Sequence, residues 1–236
     1  MKNLIIYISP QKDFNQEYSK LVKVQIDNSL DLGWKKEDII LVTNFKYKYN
    51  GIQSLVVGDE NYCQHAPSVS KTYTLISLFK MNLINPKELY WIHDLDNYQL
   101  QVIDEKKIRD ELGDCVVALQ DYGATRTRWS TGSIFFNSRA LKVFEDIKKF
   151  ADEFQIVEEK ALCHMGKDGF KKINHTYNFT SLNIRTSYRK ADKPIVNIHF
   201  HPTQEMINFF MYGKNQLSIV LMTDRLIKIF KKYYDD

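Results

Sequence analysis

The sequence predicts a single-domain α/β fold with a Rossmann-like N-terminal half and a mixed central sheet flanked by helices. Short apolar runs rich in β-branched residues alternate with segments in which apolar residues recur at helical spacing. The first run, 4–8, is continuously apolar, which is typical of a strand that a parallel sheet buries on both faces. The chain has 236 residues with only 9 Gly and 5 Pro, and no Gly- or Pro-rich linker divides it. We therefore expect one domain made of two lobes.

The elements of the first half alternate as a Rossmann-like fold requires. Gly33 is a suitable stop for the first helix, and Pro86 marks the end of the second because proline cannot continue a helix. The predicted strands are 4–8, 38–43, 54–57 and 89–92, and the predicted helices are 14–32 and 69–84.

The second half mixes helices with shorter strands. Its last predicted helix is apolar on one side and rich in lysine at its end, and we expect its apolar side to pack on its own domain. The predicted helices are 104–112, 138–154, 156–165 and 215–234; the predicted strands are 116–119, 131–137 and 195–200; and segment 173–188 is predicted to be irregular or short-stranded.

Composition excludes several classes of protein. The formal net charge of +4 suits anionic ligands but does not require a nucleic-acid partner. Cys63, Cys115 and Cys163 are widely spaced and odd in number, which argues against a disulfide framework and favours a reducing, cytoplasmic compartment. No cysteine has a second cysteine at metal-site spacing, so zinc is not predicted. No stretch approaches the ~20 apolar residues of a membrane span, and no signal peptide is expected.

Two carboxylates follow the predicted strand 89–92, at Asp94 and Asp96. At the end of a strand, where the backbone turns, both side chains can point into one cleft. Like charges held together are costly unless a cation lies between them, and Mg²⁺ and Mn²⁺ prefer oxygen ligands and often keep substrate phosphates as further ligands. The pair therefore predicts a metal–diphosphate site, the alternative being a surface turn with two solvated aspartates.

Other polar residues follow neighbouring predicted strands. Ser9 and Pro10 end the first strand, and Asn44 ends the second. Ligands of open α/β sheets bind at the carboxyl ends of strands, so a nucleotide lying across these ends would touch all three residues and Asp94. The alternative is that they form turns, for which Ser, Pro and Asn are common.

Four motifs follow one another along the chain. They are the Asp-x-Asp segment after an apolar strand at 91–96, a glycine-containing strand ending in Asn at 131–137, an acidic segment at 158–162, and an Ile-His-aromatic strand at 198–200. Their order resembles that of nucleotide-sugar glycosyltransferases of the GT-A fold. None of the motifs is specific alone, and no single family of this fold is matched closely. The resemblance implies a nucleotide-binding lobe at 1–100 and an acceptor lobe with a C-terminal helix at 101–236.

The resemblance also implies a metal site. Asp96 would bind Mn²⁺ or Mg²⁺ directly, and Asp94 would contact the metal, the ribose of the nucleotide or both. His199 matches the late histidine that completes the metal site in related enzymes, and nitrogen ligation suits Mn²⁺. His201 is the rival ligand because residues two apart in a strand share a face. His93, directly before the first aspartate, has no counterpart in the family.

Further roles follow from the same resemblance. Glu159 is the candidate general base for the acceptor hydroxyl and Asp121 its competitor; the alternative is that Glu158 and Glu159 form a solvated helix start. Lys71 lies where related enzymes carry a basic residue near the phosphates, and Gly132 would allow a sugar to approach the backbone or form a tight turn. Alternative basic residues are Arg126, Arg128, Lys193 and Lys214.

The predicted activity is metal-dependent transfer of a sugar from a nucleotide-sugar donor, with UDP expected by analogy, to a hydroxyl of a glycan. One alternative acceptor is a nucleic acid with hydroxylated bases, and another function is a non-catalytic nucleotide-binding module. A nucleotidyltransferase is disfavoured because no Gly-rich basic loop follows the first strand. We expect a monomer or a homodimer. A basic and aromatic surface for nucleic acid would consist of Arg126, Arg128, Trp129, Arg185, Tyr188, Arg189 and Lys190.

Overall fold

Strands and helices alternate along most of the chain. The computed structural model describes residues 1–123, 128–165, 170–181, 184–201, 203–212 and 223–234. The strands are β1 (Lys2–Tyr7), β2 (Ile39–Thr43), β3 (Lys48–Tyr49), β4 (Ile52–Gln53), β5 (Leu55–Val56), β6 (Tyr90–His93), β7 (Asn97–Gln99), β8 (Val117–Asp121), β9 (Trp129–Phe136), β10 (Phe170–Ile173), β11 (Phe179–Thr180) and β12 (Asn197–His199). The helices are α1 (Gln16–Asp31), α2 (Ser70–Lys80), α3 (Glu105–Leu112), α4 (Leu141–Phe154), α5 (Glu158–His164), α6 (Ile184–Lys190), α7 (Thr203–Tyr212) and α8 (Asp224–Tyr234).

A mixed sheet forms the centre of the molecule. In the described part of the chain it has seven strands, in the order β10-β8-β9-β6-β1-β2-β5. β1 pairs in parallel with β2 and β6, whereas β9 runs antiparallel to β6 and β8. The β6–β9 pair joins strands from the two predicted lobes into one sheet. This mixed sheet with flanking helices confirms the predicted fold class.

The central strands are buried because apolar side chains cover both of their faces. In β1, Leu4 and Ile5 point to opposite faces and are both fully buried. In β6, all four residues are buried, and the ring of Tyr90 stacks on that of Phe136 in β9. Burial of each such side chain contributes about 1.5–3 kcal/mol, so the register of these strands is firmly specified. The end of β6, where the aspartates follow, is therefore held in a defined place.

A second, smaller sheet brings a late strand to the end of β6. Its order is β11-β12-β7, with β12 antiparallel to β7. In this register His199 of β12 lies opposite Asn97 of β7. Because β7 begins directly after the turn that contains Asp94 and Asp96, the pairing places His199 beside both aspartates. The sequence analysis did not predict β7, the strand whose pairing with β12 brings His199 to the two aspartates.

Several predicted elements require correction. The prediction of irregular or short-stranded structure for 173–188 is wrong in part, because α6 begins at Ile184. Helix α2 ends at Lys80, before the predicted end at residue 84, since Asn82 adopts a left-handed conformation with a φ of 56°. Strand β10 and helix α7 were not predicted. Of the predicted helix 215–234, residues 215–222 lie outside the described part of the chain.

The last described helix packs on the first. Leu226, Ile229 and Phe230 of α8 are buried, and the ring of Phe230 packs edge-on against Tyr98. The prediction that this apolar side packs on its own domain is confirmed for the described residues. Among the described helices, none combines the length and apolar character needed to cross a membrane.

Candidate metal centre and cleft

Asp94, Asp96 and His199 form a compact group at the end of β6. The His199 Nε2 atom is 3.2 Å from Asp96 Oδ1 and 3.8 Å from Asp94 Oδ2. One ligand atom from each residue lies within 4.8 Å of the other two. Two carboxylates and an imidazole are a donor set that suits Mn²⁺ and also accepts Mg²⁺. The structure thus places His199, rather than its rival His201, beside the two carboxylates.

Gly132 makes room for the histidine. A Cβ atom at this position would lie 2.4 Å from His199 Nδ1, closer than side chains tolerate. The backbone carbonyl of Gly132 accepts hydrogen bonds from the Asp94 amide at 3.1 Å and from Asn97 Nδ2 at 2.8 Å. The prediction assigned Gly132 to a sugar approach or a tight turn. In the structure it lies inside β9 and permits the approach of a candidate metal ligand.

Lys71 lies at the start of α2 and reaches into the same group. Its ammonium donates to Asp94 Oδ1 at 2.6 Å and to the Thr131 carbonyl at 3.0 Å, and it is 3.5 Å from Glu158 Oε1. Burial disfavours the ammonium, but Asp94 and Glu158 outweigh that effect and raise the pKa of Lys71. Lys71 therefore stays charged and offsets part of the negative charge around the aspartates.

Glu158 and Glu159 start α5 and differ sharply in environment. Glu158 is only 2% exposed, and its Oε1 atom has no hydrogen-bond partner among the described residues. Burial raises the pKa of Glu158, while the ammonium of Lys71 opposes the rise. Glu159 lines the cleft, and its Oε1 accepts a hydrogen bond from the Thr131 amide at 3.3 Å. The alternative of a solvated helix start does not describe Glu158.

The burial of Glu158 has a signal in the sequence. Glu158, Ala161 and Leu162 are the buried residues of α5, and their spacing of i, i+3 and i+4 defines one helix face. A carboxylate on the apolar face of a short helix is unusual, because charged groups are rarely buried without a partner. That partner is the ammonium of Lys71, 87 residues earlier in the chain. Helical periodicity within α5 gives no indication of this contact.

Asp121 is held by its own loop. Its Oδ1 accepts hydrogen bonds from the amides of Gly123 and Arg128, both at 2.9 Å, and Lys172 lies 3.5 Å from Oδ2. Burial alone would raise the pKa of Asp121, but these partners lower it overall. A carboxylate with a lowered pKa is a weak base, and Asp121 does not line the cleft that contains Glu159. These contacts favour Glu159 over Asp121 as the candidate base.

A polar network backs the wall of the cleft. Gln120 Nε2 donates to His175 Nδ1 at 2.6 Å, and Asn178 Nδ2 donates to Gln120 Oε1 at 2.9 Å. Asn178 Oδ1 accepts from Asn97 Nδ2 at 2.9 Å. Burial lowers the pKa of His175, which favours the neutral ring, and the hydrogen bond from Gln120 to Nδ1 requires the tautomer protonated at Nε2. The network holds Gln120 and His175, which line the cleft, in defined positions, and no sequence motif indicated it.

The candidate centre lies between two adjoining depressions. The larger, with a volume of about 710 Å³, includes Glu159, His175 and His201 in its lining. The smaller, of about 510 Å³, lies toward the ends of β1 and α1 and includes Pro10 in its lining. The residues that line both are Tyr18, Ser68, Lys71, Asp94 and Asp96. A ligand bound at the aspartates would therefore have room on both sides.

Of the predicted nucleotide contacts that follow β1 and β2, one lines a depression and two are buried. Pro10 lines the smaller depression, whereas Ser9 and Asn44 are buried and bond each other. The Ser9 amide donates to Asn44 Oδ1 at 2.9 Å, and Asn44 Nδ2 donates to the Ser9 carbonyl at 2.8 Å and to Asp59 Oδ1 at 2.9 Å. Direct contact of Ser9 or Asn44 with a nucleotide stays a prediction.

His93 has a structural setting. Its ring is buried, with Nδ1 2.9 Å from the Asp94 carbonyl and Nε2 2.9 Å from Asn3 Oδ1. Burial lowers the pKa of His93 to about 4, so the imidazole is neutral at physiological pH. The ring links β6 to β1 just before the two aspartates and stacks on Trp91. His93 thus supports the turn that carries Asp94.

The other basic candidates line neither depression or lie outside the described residues. Lys193 donates to the carbonyls of Tyr188 and Ala191. Arg126 and Lys214 lie outside the described residues. The proposed basic and aromatic surface loses its tryptophan, because Trp129 is 5% exposed and packs on another ring of the core. That part of the prediction is wrong.

Comparison with known structures identifies the fold. The galactosyltransferase LgtC in complex with donor and acceptor sugar analogues matches with a TM-score of 0.62 at 12% identity, covering 98% of this chain and 96% of that one. Mouse xyloside xylosyltransferase 1 matches with a TM-score of 0.52 at 11% identity, covering 84% and 96%. The chain has the GT-A glycosyltransferase fold. This confirms the predicted resemblance at the level of fold.

A third solved structure also matches, whereas comparison by sequence finds no match. The glycosyltransferase GlyE of Streptococcus pneumoniae matches with a TM-score of 0.58 at 9% identity, covering 99% of this chain and 64% of that one. No protein-family model matches the sequence, and no curated protein matches it either. The similarity is therefore carried by the arrangement of the strands and helices and not by shared residues.

Proposed function

We propose that this protein is a metal-dependent glycosyltransferase that moves a sugar from a nucleotide-sugar donor to an acceptor hydroxyl. The observation that carries the proposal is the group of Asp94, Asp96 and His199 at the carboxyl end of a central strand, between two depressions of a GT-A fold. In this proposal residues 1–100 hold the nucleotide, and residues 101–236 supply the acceptor side.

Asp94, Asp96 and His199 would hold Mn²⁺ or Mg²⁺. The mixed oxygen and nitrogen donor set and the spacing of the ligand atoms support this assignment. When bound, the cation supplies positive charge that stabilises the departing nucleoside diphosphate. Lys71 adds a second positive charge, since its ammonium bonds Asp94 and borders both depressions. The same contact orients Asp94 before any ligand arrives.

The nucleotide would lie in the smaller depression, on the side of β1 and α1. Tyr18 borders this space and is 39% exposed, so a face of its ring is available to a base or a sugar. Pro10 borders the same depression. UDP is the nucleotide we propose. The proteins that share the fold include a galactosyltransferase and a xylosyltransferase, so the fold does not restrict the sugar to a hexose or a pentose.

The acceptor would lie in the larger depression, where Glu159 is the proposed general base. In an inverting reaction the Glu159 carboxylate takes the proton of the acceptor hydroxyl while the acceptor oxygen bonds the anomeric carbon and the bond to the diphosphate breaks. The hydrogen bond from the Thr131 amide holds this carboxylate in place. The polar lining, which includes His175, suits a glycan, whose hydroxyls need many hydrogen-bond partners.

The test is slow hydrolysis of a donor in the absence of an acceptor. A panel of nucleotide sugars is incubated with the protein and Mn²⁺, and release of nucleoside diphosphate is followed. We expect one donor to be hydrolysed, with the activity abolished by EDTA and by Asp96→Ala. Absence of hydrolysis together with absence of thermal stabilisation by any nucleotide would contradict the donor site.

Two further measurements separate the steps. Glu159→Gln should retain nucleotide binding, measured by calorimetry, while losing transfer to an acceptor. Stabilisation by a nucleotide without turnover on any donor would instead indicate a binding module of the same fold.

With the donor known, a glycan array identifies the acceptor. Binding that weakens steeply with salt would indicate a nucleic-acid acceptor, because such binding releases counterions.

A further inference from the structure

A second group of metal-ligating side chains lies outside the cleft. Cys63 and His65 belong to the loop between β5 and α2, and Asp152 lies near the end of α4. One ligand atom from each lies within 4.8 Å of the other two. None of the three lines either depression around the aspartates. The group therefore needs an explanation of its own, independent of the proposed transfer reaction.

This group differs from the first in that a thiol takes the place of one carboxylate. The Cys63 Sγ atom is 3.3 Å from His65 Nδ1 and 3.6 Å from His65 Nε2. Tetrahedral zinc, with bonds of about 2.3 Å to sulfur and 2.0 Å to nitrogen, separates two such ligands by about 3.5 Å. A soft thiolate combined with imidazole and carboxylate favours Zn²⁺ over Mg²⁺ or Ca²⁺. The spacing and the chemistry thus agree.

Neighbouring side chains hold the candidate ligands in place. The Cys63 amide donates to Ser70 Oγ at 2.9 Å, which fixes the loop against the first residue of α2. The Tyr73 hydroxyl and the Lys148 ammonium each donate to one oxygen of the Asp152 carboxylate. Each carboxylate oxygen offers two lone pairs, so one remains on each for a metal. Ligands supported by hydrogen bonds in this way are characteristic of metal sites.

We propose that Cys63, His65 and Asp152 bind Zn²⁺, with a water molecule as the fourth ligand. Ligation deprotonates the thiol and releases its proton to solvent. The ion would connect the loop to α4. The same loop carries Pro67 and Ser68, which line the depression proposed for the nucleotide. Zinc would therefore fix one wall of the cleft without contacting the ligand in it.

The experiment uses Co²⁺ as the probe, in the full-length Asp96→Ala variant so that the first site is weakened. A thiolate bound to Co²⁺ gives a charge-transfer absorption in the near ultraviolet, which a site of carboxylates and imidazole does not give. We expect this absorption at a single equivalent of Co²⁺ and its loss on addition of Zn²⁺. Cys163→Ser, which changes an exposed thiol elsewhere, should leave it unchanged.

Variants at the site make the test decisive. Cys63→Ser should abolish the absorption, and His65→Ala, in the surface loop, should weaken Co²⁺ binding more than about 100-fold, because even the loss of a supporting hydrogen bond costs 10–100-fold. Tyr73→Phe should weaken it by about 10-fold. Circular dichroism verifies that each variant is folded. Absence of the absorption in folded Asp96→Ala protein, or its persistence in Cys63→Ser, would overturn the proposal.

Discussion

Two regions of the molecule hold carboxylates in opposite environments. Asp27 on α1 accepts hydrogen bonds from four side chains and pairs with Lys232 of α8 at 2.7 Å. Burial alone would raise the pKa of Asp27, but these donors lower it overall. The donors to this carboxylate are Tyr49, Asn50, Lys232 and Tyr233. Its charge is fully compensated by the protein, and the contact joins the first helix to the last described one.

In the cleft, negative side chains outnumber the positive charges of the described residues beside them. In the described part of the chain, the Lys71 ammonium contacts Asp94 and Glu158, and the group beside Asp96 is His199, which becomes cationic only when protonated. Burial disfavours that protonation, yet Asp96 outweighs it and raises the pKa of His199. The Asp27 carboxylate is satisfied by donors of the chain, whereas at the end of β6 the described residues place more carboxylates than permanent positive charges. A divalent cation would supply what is missing.

The largest effect is expected when one oxygen ligand is replaced in the cleft. Asp96→Asn keeps the shape of the side chain but removes its charge, so Mn²⁺ affinity measured by calorimetry should fall more than about 100-fold. The matched variant Asp27→Asn makes the same chemical change in the other region and should leave Mn²⁺ affinity unaltered. Equal effects of the two variants would contradict the contrast between the regions.

A smaller effect is expected from crowding the histidine. Gly132→Ala adds a Cβ atom that would lie 2.4 Å from His199 Nδ1, so the ring must shift from its present position beside the aspartates. We expect Mn²⁺ affinity to fall by about 10-fold, the cost of a poorly oriented ligand. The double variant Gly132→Ala, His199→Ala serves as the control, because the alanine should have no further effect once the ring is absent. An additive loss would place the damage elsewhere.

Lys71 should act on binding and activity in opposite directions. Lys71→Met removes a positive charge 2.6 Å from Asp94, so Mn²⁺ affinity should rise by roughly 3- to 10-fold. Transfer should fall by roughly 10- to 100-fold, because a charge near the leaving diphosphate is lost. Lys71→Arg keeps the charge and should restore most of the activity. A parallel fall in affinity and activity would show that Lys71 only supports the fold.

The aspartates were predictable because local sequence fixes their place. The run 89–92 is too short for a helix and is bounded by polar residues, which favours a strand, and Asp94 and Asp96 follow it closely. His199 is different, since only the pairing of β12 with β7 brings it to the aspartates. The resemblance supplied His199 as a candidate, but nothing in its surroundings along the chain separated it from His201.

The parts that escaped prediction depend on distant partners. Strand β7 has three residues, of which Asn97 and Gln99 are polar. A search for apolar runs therefore does not detect it. Those side chains are buried because they bond to the backbone and to side chains far along the chain. The group of Cys63, His65 and Asp152 was missed for the same reason, since its third member lies 87 residues beyond the second. Short-range spacing carries no information about such contacts.

Asp27→Asn, which should leave Mn²⁺ affinity unaltered, should instead change the stability of the fold. Loss of the charged hydrogen bonds should lower the free energy of unfolding by about 1–2 kcal/mol, measured with urea at pH 7. The pKa of Asp27 is lowered by folding, so its contribution is present above the unfolded pKa of about 3.9. It is lost as the pH falls through the lower folded value.

The difference in stability between the wild-type protein and Asp27→Asn should therefore be constant from pH 7 to about pH 5 and shrink below about pH 4. Asp96→Asn, measured in EDTA, should change stability by less than about 1 kcal/mol, because relief of repulsion with Asp94 offsets the loss of the contact with His199. A large destabilisation by Asp96→Asn without metal would mean that the cleft carboxylates, like Asp27, are already satisfied by the protein.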